Sequence, residues 1–156
     1  MRLWFGRLRR MTASDYVTAA DTLRLAVWVE MAIRLMPFSR LLDRLGRVPS
    51  HSATHDLSAA AHEYQRLLRF VTVAYETLPF PATCLRQSLV LYALLERRGV
   101  PSRFCVGVAR NGPALAAHAW IECRGVSRDS SATVFSELRS FAVPARLTAA
   151  VESASR

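Results

Sequence analysis

No lysine occurs anywhere in the 156-residue chain, so all 21 basic side chains are arginine. Such a composition reads as the codon bias of a GC-rich genome rather than as a designed site. The charge still acts physically: a net +9 favours an acidic partner or peptide and speeds encounter with it. The arginines stand singly or in pairs, with no nucleic-acid recognition motif around them, and this argues against nucleic acid as the partner. Cysteine is scarce too. Cys84, Cys105 and Cys123 cannot all pair within one chain, which excludes a disulfide scaffold and points to a reducing, cytoplasmic setting. No Cys-x-x-Cys pair exists and the spacings are irregular, so a zinc site from the three cysteines and His118 is not expected. No other cofactor is expected. The longest apolar stretch, Leu23 to Phe38, is interrupted by Arg24, Glu30 and Arg34. It falls short of the roughly 20 apolar residues that cross a bilayer, and no membrane role is expected. The basic start MRLWFGRLRR leads into neither a clean apolar run nor a small-residue cleavage site, so it does not read as a secretory signal. Internal repeats and low-complexity segments are absent.

What is present describes one globular domain. The chain is 51% hydrophobic and 21% charged, and its length suits a single core over residues 1–156. A helical portion is expected to about residue 78, a helix and sheet over about 79–141, and a C-terminal tail over 142–156. Thr12 or Ser14 can cap a helix through Tyr16, Leu23 and Val27 towards Met36, where Pro37 stops it. A short helix follows from Phe38 to Leu45, closed by Gly46; residues 47–54, with Pro49, Ser50 and Ser52, form a connector. Asp56 or Ser58 starts a second long helix, with Leu57, Ala61, Tyr64, Leu67, Leu68, Val71 and Ala74 as its apolar stripe. Pro79 and Pro81 break it, and Thr83 caps an amphipathic helix that Gly99 and Pro101 end.

Beyond Pro101 the period changes from helical to alternating. Phe104, Val106 and Val108 suggest a strand, Asn111-Gly112-Pro113 a turn, and Ala116 to Cys123 a second strand. On that strand His118, Trp120 and Glu122 face opposite to Ala117, Ala119 and Ile121. A third strand is placed over Ala132 to Leu138. Helices first and an antiparallel sheet after them make an α+β fold.

Three residue types bear on chemistry. Cys84 opens a helix, where free N–H groups and the macrodipole favour a thiolate nucleophile; otherwise it is a small apolar residue in the first turn. His118, on a rigid strand, can take a thiol proton and return it to a leaving amine, or it is a hydrogen-bonded core histidine. Asp129 can orient the imidazole from the neighbouring strand, or it is a surface turn residue; Glu122 and Glu137 are rival acids. Trp120 walls a substrate cleft or simply packs. Cys105 and Cys123 read as small core residues on faces turned away from His118 or undecided. His51, His55 and His62 take solvated or capping roles.

The order of these features narrows the field. Cys84-Leu-Arg-Gln-Ser88, Leu94-Leu-Glu-Arg-Arg-Gly-Val-Pro101, Val106-Gly-Val108 and Ala117-His-Ala-Trp-Ile-Glu122 closely resemble the B proteins of lasso-peptide biosynthesis, within the transglutaminase-like branch of papain-fold enzymes. The resemblance implies a papain-type core, with the catalytic helix packed on a small antiparallel sheet. It also implies a cysteine peptidase that removes the leader from a ribosomally made precursor, with Cys84 as nucleophile, His118 as base and Asp129 as orienting acid. Some members carry a leader-recognition domain in the same chain. The helices here begin almost at once, so the resemblance is to the stand-alone peptidase half, served by a separate leader-recognition protein. The precursor leader and the lasso cyclase are the other implied partners. A transglutaminase-type acyl transferase using the same thiolate, and a non-catalytic scaffold of the same fold, are the competing readings.

Overall fold

The first helix starts where the sequence offers it a cap. The computed structural model describes residues 12–46, 57–111, 114–123, 126–127 and 136–141. In it Thr12 is the N-cap of α1 (Ala13–Leu35) and closes a capping box with Asp15. The Thr12 hydroxyl accepts from the Asp15 N–H at 3.3 Å, and the Asp15 carboxylate accepts from the Thr12 N–H at 3.0 Å. Arg66 also donates to Asp15, at 2.7 Å. The Arg66 bond foremost, then the two from Thr12, holds this carboxyl down to about 2. Its contribution to stability is therefore present above the ordinary 3.8 and lost as the pH falls towards 2. Met36 is extended ahead of Pro37, which ends α1, and α2 (Phe38–Leu45) follows, capped by Gly46 as expected.

Helix α3 spans Leu57–Thr77, and the connector expected over 47–54 lies outside the described residues. So do His51 and His55, whereas His62 is exposed on α3. The buried line of α3 is Ala60, Tyr64, Leu67, Val71, Ala74 and Tyr75. Ala61 and Leu68, expected in the stripe, are only half-buried. The helix is rotated towards Ala60 and Tyr75 because it packs against two helices, α1 and α4.

The largest departure concerns α4 (Cys84–Arg97). An amphipathic helix was expected, but nine consecutive residues, Ser88 to Glu96, are buried. The three other helices and strands β1 (Ser102–Asn111) and β2 (Ala114–Cys123) all contact it. A helix enclosed in this way needs apolar residues all round. Each fully buried Leu or Val contributes roughly 1.5–3 kcal/mol. The helix ends in a Schellman turn: the Val100 N–H reaches the Leu95 carbonyl and the Gly99 N–H the Glu96 carbonyl, both at 3.0 Å. Gly99 has φ 67°, a left-handed value that a side chain would disfavour.

Among the described residues four strands form one sheet in the order β3-β2-β1-β4, with β3 at Val126–Ser127 and β4 at Ser136–Phe141. The pairing runs from Ser102 opposite Cys123 to Asn111 opposite Ala114, so Asn111 of the expected turn belongs to β1, and Gly112 and Pro113 lie outside the described residues. A strand was expected over Ala132 to Leu138; residues 132–135 lie outside the described residues, and β4 runs from Ser136 to Phe141 and pairs with β1. One face, with Phe104, Ala119, Ile121 and Cys123, joins the helical core, where the Phe104 ring meets Phe38 at 6.0 Å and Tyr92 at 6.2 Å.

Ion pairs hold both ends of α4. Near its start, Arg86 donates to Glu30 of α1 at 2.7 Å. Glu30 is 1% exposed, and Arg34 lies against its other carboxylate oxygen without hydrogen-bond alignment. Burial first, and then the charge of Glu30, pushes the nearby Tyr75 hydroxyl up to about 12. At the far end, Arg98 bonds Glu63 of α3 and Thr18 of α1, both at 2.8 Å.

These two ends differ in burial, and that difference is testable. Removing Glu30 takes away the charge-assisted bond that anchors the partly buried Arg86, so Glu30→Ala should cost about 1.5–3 kcal/mol. Glu63→Gln, at a partly exposed pair, should cost about 1 kcal/mol or less. Urea denaturation of the two variants checks this; equal losses would show that the Glu30 pair has no special role.

Candidate active site

The start of α4 is built by three residues in a row. Pro81 and Ala82 lead in, and Thr83 adopts an extended conformation as N-cap, its hydroxyl accepting from the Arg86 N–H at 3.4 Å. The Arg86 guanidinium also donates to that hydroxyl, at 3.2 Å. Cys84 is therefore the first residue of the helix, half-buried, where N–H groups have no partner within the helix and negative charge is favoured.

One turn further on, Ser88 donates from its hydroxyl to the carbonyl of Ala119 at 2.9 Å, and the bond is buried. Residues four apart share one side of a helix, so Cys84 lies on the same side of α4 as this bond. Strand carbonyls point along the sheet, not out of it, so the bond sets the first turns of α4 beside the edge of β2. Strand β3 pairs only with Glu122 and Cys123, which leaves this part of the β2 edge to the helix among the described residues. Ala119 is the neighbour of His118. In the sequence, the available signal for this anchor is a hydroxyl in an otherwise apolar row, one turn after the cysteine.

His118 is half-buried on β2. Its ring stacks on Trp120, with centroids 6.1 Å apart and planes 14° from parallel. Trp120 is 4% exposed and donates from its indole N–H to Glu122 at 3.3 Å. Glu122 in turn accepts from Arg103 at 2.6 Å. Burial pushes the Glu122 carboxyl up, but the bonds from Arg103 and Trp120, the Arg103 charge and the Cys105 thiol outweigh it and hold the group below the usual carboxylate range. Glu122, one of the rival acids, is thus engaged by Arg103 and Trp120. Glu137, the other, lies on β4 opposite Gly107, which on its other side pairs with His118. Asp129 lies outside the described residues.

One face assignment left open by the sequence becomes definite. Cys105 pairs directly with Trp120, so it lies on the His118 face. Ten residues of unbroken β1–β2 register settle this, which alternation within one strand could not. Cys123 is on the opposite, helix-covered face. Both are buried, Cys105 fully and Cys123 to 7% exposure, as small core residues are. Among the described residues no group of three or more His, Cys, Asp or Glu could hold a metal ion, and no helix is long and apolar enough to cross a membrane.

Helices enclosing a central helix that a cysteine opens, set on an antiparallel sheet that carries His118 on the face opposite the helix-covered one, define a class of α+β protein. The chain matches the family model of the transglutaminase-like superfamily over residues 23–143, most of its length, and it belongs to that superfamily. Neither the curated proteins nor the solved structures contain a match to it. Membership points to cysteine-dependent chemistry, as a peptidase or an acyltransferase.

The burial of the three thiols makes a direct prediction. Brief treatment of the folded protein with iodoacetamide should alkylate Cys84, while Cys105 and Cys123 react only after denaturation, as read by peptide mass mapping. Labelling of Cys105 or Cys123 in the folded protein would contradict the described packing. Ser88→Ala strands the buried Ala119 carbonyl and should cost about 1–3 kcal/mol in urea denaturation.

Proposed function

We propose that this chain is a cysteine peptidase that removes the leader from a ribosomally made lasso-peptide precursor, with Cys84 as nucleophile, His118 as general base and Asp129 as the acid that orients the imidazole. The observation that carries the reading is the Ser88–Ala119 bond, which ties the helix opened by Cys84 to the strand residue next to His118. In this scheme His118 takes the Cys84 proton and the thiolate attacks the scissile carbonyl. The oxyanion meets backbone N–H groups at the start of α4, that of Cys84 among them. The imidazolium then protonates the leaving amine, and the leader remains as a thioester on Cys84. A water, deprotonated by His118, attacks the thioester and releases the leader. Acyl transfer would share every step up to the thioester and differ only in the attacking group. Trp120, stacked on the imidazole, keeps the ring in place and borders the cleft.

The chain works, on this reading, in the reducing cytoplasm with a separate leader-recognition protein, and the lasso cyclase takes up the product. Support for a partner comes from α1, which leaves Leu23, Val27, Met31 and Leu35 exposed at four-residue spacing, more apolar surface than a solvated face requires.

Cleavage assays on a precursor peptide test the assignment. Cys84→Ala should lower the rate at least about a thousandfold with the fold intact, and His118→Ala nearly as much, because such groups act as a unit. Asp129→Asn should be milder. Wild-type rates in Asp129→Asn together with an inert Glu122→Gln would move the acid to Glu122. Adding the recognition protein at low concentration should speed cleavage; equal rates with and without it would sink the partner.

A further inference from the structure

A groove of about 480 Å³ lies between α1, α2 and the C-terminal half of α4, away from the helix start that Cys84 occupies. Its base is apolar: Leu25, Leu45 and Ala93 are all buried, and Trp28 beside them is 37% exposed. Its rim is cationic. Arg24, Arg44 and Arg97, one from each helix, are exposed, and none has an ion pair or hydrogen bond among the described residues. The contrast with Arg34, Arg66, Arg86 and Arg98, each paired with a carboxylate, is clear. A single acid, Asp21, lines the same groove. Three guanidinium groups against one carboxylate leave a local excess of positive charge over an apolar floor.

The geometry points to a binding site for an acidic, apolar peptide segment, its carboxylates on the arginine rim and an apolar side chain against Trp28. Guanidinium groups match carboxylates with paired N–H donors. Phosphate recognition usually draws on the free N–H groups of a helix start. Here Arg44 and Arg97 stand in the last turns of α2 and α4, so the adjacent helix ends present carbonyls. Dispersed carboxylates on an extended chain suit such a rim better than a compact phosphate.

The site bears on cleavage by distance. Ala93 and Arg97 follow Cys84 by nine and thirteen residues, or about 14–20 Å along the helix. An extended chain covers roughly 3.3 Å per residue, so at least about four to six residues separate a segment in the groove from one at the thiol. This placing of substrate rests on the peptidase reading, whereas the binding itself does not.

The test is therefore one of binding, with the full-length chain and a fluorescein-labelled octapeptide of alternating Glu and Leu, followed by anisotropy. Arg44→Glu and Arg97→Glu should each weaken binding at least about tenfold. Trp28→Ala should weaken it also, and Asp21→Asn should tighten it. Arg69→Glu, an equal charge change at an exposed site on α3, should leave it unaltered. If a reversal variant fails to melt cooperatively, the corresponding Arg→Gln variant takes its place. Equal binding of a Lys–Leu octapeptide, equal weakening by Arg69→Glu, or preferential binding of a single-stranded oligonucleotide overturns the proposal. Loss of cleavage in Cys84→Ala with binding retained is expected; cleavage persisting in that variant would refute the nucleophile and leave the groove standing.

Discussion

A helix that is apolar on every side cannot rest on a surface, and α4 imposes that constraint on the whole chain. Ser88 to Glu96 are covered without interruption, so every other helix and the two central strands must close round them. Helices α1, α2 and α3 together cover what one sheet face cannot. The same enclosure explains why polar contacts gather at the two ends of α4. In the middle they would be left without water or partners.

The consequence for chemistry is positional. The first residue of α4 is set by the Thr83 cap, by the Arg86–Glu30 pair against α1, and by the Ser88 bond to β2. Three anchors of different kinds within six residues leave Cys84 little freedom. On the strand side, His118 is backed by Trp120, and Trp120 by Glu122 and Arg103, so the imidazole rests on a connected polar chain rather than a loose loop. Rigid supports of this kind suit the thiol chemistry proposed for the chain.

Much of this was legible in the residues. Thr12 and Thr83 as caps, Pro37 and Pro79 as stops, Gly99 as the close of α4 and the alternation about His118 all follow local rules that tertiary contacts seldom override. What was illegible depends on several elements at once. The turn of α3 towards Ala60 and Tyr75 reflects two helices packing on it, and the pairing of β4 with β1 is a choice of sheet edge that no local pattern encodes. The side on which Cys105 lies became definite only through register with Trp120. Ser88 was visible as a residue but not as an anchor, because its acceptor is 31 positions away.

The central claim is that Cys84 forms a covalent bond with its substrate and that His118 enables it. Intact-mass measurement after acid quench of the enzyme turning over a precursor peptide tests both together. The account predicts a protein heavier by the leader fragment less one water, with the addition mapped to Cys84 and absent from His118→Ala quenched at the same time. Full-rate cleavage with the addition on another residue, or undiminished acylation in His118→Ala, would contradict it.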